Sequence, residues 1–142
     1  MFSCASRTAM SGGGSVGGRA PHRGSVIDLH CHRACAPAAS LMEAESVRAG
    51  LDPVSFDSEL TRQVNRQQLI DLRPKFESID IRLADMDAMG IDVQVVGLAP
   101  FQICYWSEPE FGRTVARVAN DDLADAIAPH PQRFVGLGTV PL

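Results

Sequence analysis

The chain has 142 residues, 45% hydrophobic and 21% charged, with a formal net charge of −4, as expected for one ordinary globular domain. The acidic balance without a basic stripe argues against a nucleic-acid partner. No apolar run approaches the roughly 20 residues that span a bilayer, so no membrane partner is expected either.

Residues 1–24 differ in composition from the rest, because they are rich in glycine and serine and contain no acidic residue. Such a tract buries too little apolar surface to offset its ordering entropy, so we expect a disordered tail. Its arginines leave an organellar transit peptide as an alternative, against which the glycine cluster argues. The four cysteines and the lack of a secretory segment indicate reduced thiols and a cytoplasmic protein.

The first predicted strand, at 26–32, contains the strongest functional signal. Side chains alternate between the faces of a strand, so His30 and His32 are expected on one face with Asp28, and Cys31 on the other. Two imidazoles about 7 Å apart along a strand are able to reach one metal ion at the usual Zn–N distance of about 2.0–2.1 Å. A solvated or structural histidine pair remains the alternative, since catalytic zinc sites usually have three or more protein ligands.

Two helices are expected in the polar stretch that follows, at 38–49 and 57–72. The second has Ser58 as a candidate N-cap, and its spacing predicts that Leu60, Val64 and Ile70 face inward. A further helix is predicted over 81–89, beginning at an N-cap and ending before a left-handed glycine. These two positions are Asp80 and Gly90.

The remaining elements alternate between strand and helix. A β-branched run at 91–98 predicts a buried strand, Ser107 and Glu110 form a capping-box pattern before a helix at 109–128, and a strand follows at 134–140. Alternation of this kind predicts parallel strands in chain order, with helices 81–89 and 109–128 on one side. A (β/α)8 TIM barrel takes about 250 residues. We therefore expect an α/β fold corresponding to the N-terminal part of such a barrel, about three βα units, as one domain over 25–142 truncated after its third strand.

Three segments resemble a known family. The first-strand sequence Ile-Asp-Leu-His-Cys-His at 27–32, the stretch 82–95, and the stretch 130–136 followed by Pro-Leu at 141–142 are similar to the amidohydrolase superfamily. The similarity is greatest to the amidohydrolase-related branch typified by aminocarboxymuconate-semialdehyde decarboxylase. It implies a metal-dependent TIM barrel with one divalent ion, usually Zn2+, held by His30 and His32 and by residues of later strands.

The resemblance also implies a decarboxylase or hydrolase acting on a small unsaturated or aromatic carboxylic acid, with a homodimer possible for the complete protein. Arg73 would bind the substrate carboxylate, which suits a guanidinium fork, although it is otherwise an ordinary surface arginine. Asp28 would orient a metal ligand, or else form an ion pair at the base of the barrel. The family's remaining ligands and its catalytic histidine come from later strands, so we expect this fragment alone to be inactive.

Two other interpretations remain open from the sequence. In the first, the chain is a non-catalytic remnant of the family, and in the second it is a small zinc-binding structural module. In the second case His30, Cys31, His32 and Cys35 would chelate the metal. The predicted orientation of Cys31, away from the histidines, argues against the module. The substrate, the metal and the choice between decarboxylation and hydrolysis are left undecided.

Overall fold

A computed structural model describes residues 24–50 and 57–141. The predicted tail therefore lies outside the described residues except for Gly24. The elements in chain order are β1 (Ile27–Arg33), α1 (Ala36–Ala49), α2 (Glu59–Glu77), α3 (Ile79–Met89), β2 (Val93–Leu98), a short 3-10 turn (Pro100–Gln102), α4 (Pro109–Ile127) and β3 (Phe134–Leu137). In these ranges, no helix is both long enough and apolar enough to span a membrane.

The three strands form one parallel sheet in the order β1-β2-β3, which confirms the predicted topology. Helices α3 and α4 cover the same face of this sheet, as predicted. Met86 of α3 and Leu123 of α4 pack there in one cluster with Val96 and Phe134 of the strands. The other face is open in the described part of the chain, where Val135 and Leu137 of β3 are half exposed.

A second apolar cluster lies beyond the carboxyl ends of β1 and β2. There α1 packs against the first half of α4, through Cys35 and Ala38 on one side and Val115 and Ala119 on the other. Arg33, the last residue of β1, forms an ion pair with Asp122 of α4. These contacts fix the path of the chain where it leaves the first strand.

A β-bulge interrupts β1. Asp28 pairs with Gln94 and Cys31 with Val96, so three steps along β1 are matched by two along β2. A bulge adds one residue and shifts the alternation of side chains beyond it. The predicted face of Asp28, shared with the histidines, was therefore wrong, whereas Cys31 does lie on the face opposite the histidines, as predicted. The Cys31 thiol donates to Asp28 Oδ2 at 2.8 Å, and Cys31 belongs to the core cluster under the helices.

Two predicted helix caps were wrong, although α4 begins at Pro109 as predicted. Helix α3 begins two residues earlier than predicted, because Ser78 Oγ rather than Asp80 accepts the capping hydrogen bond, from Ile81 N at 3.3 Å. Helix α4 has no side-chain cap, and Ser107 Oγ donates to the Cys104 carbonyl at 3.0 Å instead. The predicted end of α3 is confirmed, since Gly90 has φ 71° in the left-handed region where glycine is favoured.

Helix α2 begins at its predicted cap, Ser58, but its predicted inward face is wrong. Leu60 is 69% exposed and Ile70 62% exposed, and none of its described side chains is buried. Contacts that hold α2 lie near its C-terminal end, where the Ala34 amide donates to the Phe76 carbonyl at 3.2 Å. Leu60 and Ile70 thus face solvent in the described part of the chain.

Replacing the α3 cap tests this description of the helix start. We expect Ser78→Ala to lower the free energy of unfolding by about 1 kcal/mol, the usual value of an N-cap hydrogen bond. Urea unfolding followed by circular dichroism measures this difference. Ser46→Ala is the control, because Ser46 Oγ donates only to the Glu43 carbonyl on the exposed surface of α1. Equal losses in the two variants would contradict the assigned cap.

Candidate metal-binding site

The imidazoles of His30 and His32 meet on one side of β1, close to its carboxyl end. Their Nε2 atoms are 3.0 Å apart, and the ring planes are nearly perpendicular, with centroids separated by 4.8 Å. Two nitrogens at this separation are both able to lie at the usual distance of about 2.0–2.1 Å from one ion. The geometry thus fits the predicted pair of metal ligands.

The orientation of His32 is fixed by its other ring nitrogen. Its Nδ1 lies 3.2 Å from the carbonyl oxygen of Leu98 on the neighbouring strand, so Nδ1–H donates and Nε2 keeps its lone pair toward His30. Metal-binding histidines are held in this way by a hydrogen bond on the second nitrogen. Burial lowers the pKa of His32, the Leu98 carbonyl partly opposes this, and the charges of His30 and Arg82 add to the lowering. A neutral imidazole, the form that binds metals, is favoured.

Asp28 acts on the main chain of the strand. Its Oδ1 accepts from the amide of His30 at 3.2 Å, and its Oδ2 accepts from Cys31 Sγ and from Gln94 Nε2 at 3.2 Å. Burial raises the pKa of the Asp28 carboxyl, but the hydrogen bonds from Cys31, His30 and Gln94, with the charge of Arg82, outweigh it and leave the pKa below its usual value. Asp28 is thus an ionised acceptor beneath the histidines.

Two residues that the sequence interpretation missed complete the surroundings of the histidine pair. Gln94 of β2 is 5% exposed and joins Asp28 to Arg82 of α3, whose Nη1 lies 3.2 Å from Gln94 Oε1. Arg82 Nη2 donates to the carbonyl of His32 at 2.6 Å. The available signal was Gln94 itself, a polar residue within a buried apolar strand, since buried polar groups require partners.

Arg73 and the aromatic residues after β2 have partners other than the histidine pair. Arg73 is exposed on α2 and forms an ion pair with Glu77 at 2.9 Å, so its role toward a substrate stays a prediction. Trp106 packs near Phe111 within the α1–α4 cluster. Phe101 contacts Phe76 edge to face, with the ring centroids 6.0 Å apart, and remains about half exposed.

The zinc-module interpretation does not agree with the structure. Cys31 binds Asp28 on the helix-covered face, and Cys35 is buried at the start of α1, where its sulfur accepts from Ala38 N at 3.4 Å. Burial raises the pKa of the Cys35 thiol, which disfavours the thiolate needed for metal binding. Among residues 24–50 and 57–141, no group of three or more histidine, cysteine, aspartate or glutamate side chains is placed to hold an ion.

Comparison with known proteins identifies related sequences. The chain is 32% identical over 63 residues to 2-amino-3-carboxymuconate-6-semialdehyde decarboxylase of Dictyostelium discoideum, and 35% identical over 71 residues to the Caenorhabditis elegans enzyme of the same name. These matches cover 44% and 50% of this chain, and 18% of each relative. No protein-family model matches the chain.

Solved structures extend the similarity to the fold. The 5-carboxyvanillate decarboxylase of Sphingomonas paucimobilis matches with a TM-score of 0.62 and 28% identity over 82% of this chain and 35% of that chain. The 5-carboxyvanillate decarboxylase of Novosphingobium aromaticivorans was solved with manganese and 4-hydroxy-3-methoxy-5-nitrobenzoic acid. It matches with a TM-score of 0.60 and 29% identity, over 82% of this chain and 34% of that chain. The chain therefore spans about a third of these TIM-barrel decarboxylases. With the sequence relatives, they show that it resembles the amidohydrolase superfamily, in the branch of aminocarboxymuconate-semialdehyde decarboxylase, over an N-terminal portion.

Proposed function

We propose that this chain provides the first-strand metal ligands of a metal-dependent decarboxylase that acts on a small aromatic or unsaturated carboxylic acid. The observation that carries the proposal is the convergence of His30 Nε2 and His32 Nε2 at 3.0 Å. It is supported by relatives and structural neighbours that are decarboxylases, one of which was solved with manganese and a nitrobenzoic acid.

The residues of the chain have distinct roles in this proposal. His30 and His32 hold the ion, and the Leu98 carbonyl keeps His32 in the required tautomer. When bound, a divalent ion supplies a Lewis acid and an activated water. Zinc is the ion that the family resemblance favours, and manganese is the ion of the structural neighbour. Arg73 remains the candidate for the substrate carboxylate, because its exposed guanidinium is accessible to an acid.

The wider assignments belong to the same proposal. We take residues 25–142 as one domain of the decarboxylase, with the histidine pair contributing two ligands of a larger metal shell. A homodimer is proposed for the complete protein. A cytoplasmic location is supported by Cys31, Cys35 and Cys104, which are thiols rather than disulfide partners in the described ranges.

Binding of a substrate-like acid tests the proposal. Isothermal titration of the chain with 4-hydroxy-3-methoxy-5-nitrobenzoic acid, with and without Mn2+ or Zn2+, should show binding only when the metal is present. Arg73→Ala should weaken acid binding by about 1.5–3 kcal/mol, the value of a charged hydrogen bond, which is about tenfold to a hundredfold in Kd. Arg66→Ala, a change of another exposed arginine on α2, should leave it unchanged.

Acid binding that is equally strong without metal would contradict the proposed function. Release of CO2 from 5-carboxyvanillate, 2,6-dihydroxybenzoate and 2-amino-3-carboxymuconate semialdehyde is measured on the same samples. The expectation that the isolated chain is inactive stays a prediction, which metal-dependent release above a protein-free control would refute.

A further inference from the structure

A continuous polar network on the helix-covered face of the sheet links the main chain of the two histidines, and its arginine also donates to the Lys75 carbonyl of α2 at 3.2 Å. Arg82 Nη2 donates to the His32 carbonyl at 2.6 Å, and Arg82 Nη1 donates to Gln94 Oε1 at 3.2 Å. Gln94 Nε2 donates to Asp28 Oδ2, and Asp28 Oδ1 accepts from the His30 amide, both at 3.2 Å. The network thus joins α3, β2 and β1, with a further contact to α2.

The chemistry of its members allows one arrangement of this network. A guanidinium only donates and a carboxylate only accepts, so the Gln94 amide must turn its oxygen to Arg82 and its nitrogen to Asp28. Gln94 is 5% exposed, and loss of either neighbour would leave one end of its amide buried without a partner. Each member therefore depends on the others.

The network contacts β1 at the bulge, which determines the face of the sheet on which the histidine side chains lie. Asp28 and Gln94 are register partners, and both contribute to the network beneath the helices. In a regular strand, His30 and His32 would follow Asp28 onto that covered face, because residues two apart share a face. The extra residue of the bulge instead moves both imidazoles to the open face and turns Cys31 into the core.

We propose that Arg82, Gln94 and Asp28 are positioning residues that stabilise this bulge and thereby set the two imidazoles for metal binding. Asp28 accepts the His30 amide at the bulge, where the regular ladder is interrupted. Arg82 holds the carbonyl at the far side of the bulge, two residues later. This inference rests on the proposed metal site, because it assigns the network a purpose in that site.

The first test replaces Arg82 in the full chain. We expect Arg82→Met to weaken Zn2+ and Mn2+ binding about tenfold to a hundredfold, as for other groups that orient metal ligands. Arg133→Met is the matched control. Arg133 also donates to main-chain carbonyls, those of Ile91 and Asp92, and to the Asp87 carboxylate, but at the amino ends of β2 and β3. A merely structural effect would lower the stability of both variants and leave the metal affinity of the folded protein unchanged.

A second variant and a second readout cover the case in which Arg82→Met does not fold. Gln94→Glu keeps the acceptor for Arg82 but places a carboxylate against Asp28, and should also weaken metal binding. Hydrogen exchange of the His30 amide, measured by NMR without metal, should be faster in both variants and unchanged in Arg133→Met. Wild-type metal affinity together with wild-type His30 exchange in a folded variant would overturn the inference.

The two proposals fail in different ways. If removing both histidines leaves metal binding intact, the proposed site is wrong, whatever the network does. If metal binding requires the histidines but folded Arg82→Met and Gln94→Glu bind as the wild type does, the site stands and the positioning role is wrong.

Discussion

Metal binding is expected to be lost when His30 and His32 are both replaced by alanine. Their two Nε2 atoms converge at 3.0 Å, and within residues 24–50 and 57–141 no group of three or more potential ligands is placed to take over the ion. Two neutral imidazoles bind a divalent ion weakly, so titration calorimetry with excess Zn2+ or Mn2+ is the suitable measurement. The wild-type chain should give a saturable heat with about one ion per chain, and the double variant none.

His130→Ala is the control for this experiment. His130 lies before β3, where its ring packs near Phe134 with centroids 6.3 Å apart, at the opposite end of the sheet from the histidine pair. Its removal should leave the affinity unchanged. Binding of one ion with wild-type affinity by the double variant would refute the assignment of His30 and His32 as metal ligands.

The largest effect on stability is expected for Met86→Ala. Met86 is 0% exposed and lies in the core between α3 and the sheet, in one cluster with Val96, Leu123 and Phe134. Truncation of a buried methionine removes its apolar contacts and leaves a cavity, which costs about 2–5 kcal/mol. Since domains of this size are stable by only about 5–15 kcal/mol, the variant should lose a large part of its stability.

The measurement is again urea unfolding. The dependence of the free energy of unfolding on urea concentration is compared between variants, because a change in it would indicate a changed unfolded state. Met89→Ala is the matched control, because Met89 lies on the same helix but is 61% exposed. It should change the free energy of unfolding by about 0.5 kcal/mol or less. Similar losses for the two methionines would contradict the packing of α3 on the sheet.

Local sequence was sufficient for the elements and their order. The β-branched runs gave the strands, Ser58 and Gly90 marked helix ends, and alternation of strand and helix predicted the parallel sheet. The spacing of His30 and His32 brought the two imidazoles together. The elements and the shared face of the two histidines depend on residues close together in the chain, whose periodicity and backbone preferences predict them before distant partners are known.

Tertiary structure decided what depends on distant partners. The bulge in β1 arises from the register with β2, so only the paired strands show that Asp28 lies beneath the helices with Gln94 and Arg82. The exposure of Leu60 and Ile70 on α2 likewise follows from the lack of a packed surface opposite them in the described part of the chain. Hydrophobic spacing defines a face of a helix or strand, but whether that face is buried depends on the element that reaches it.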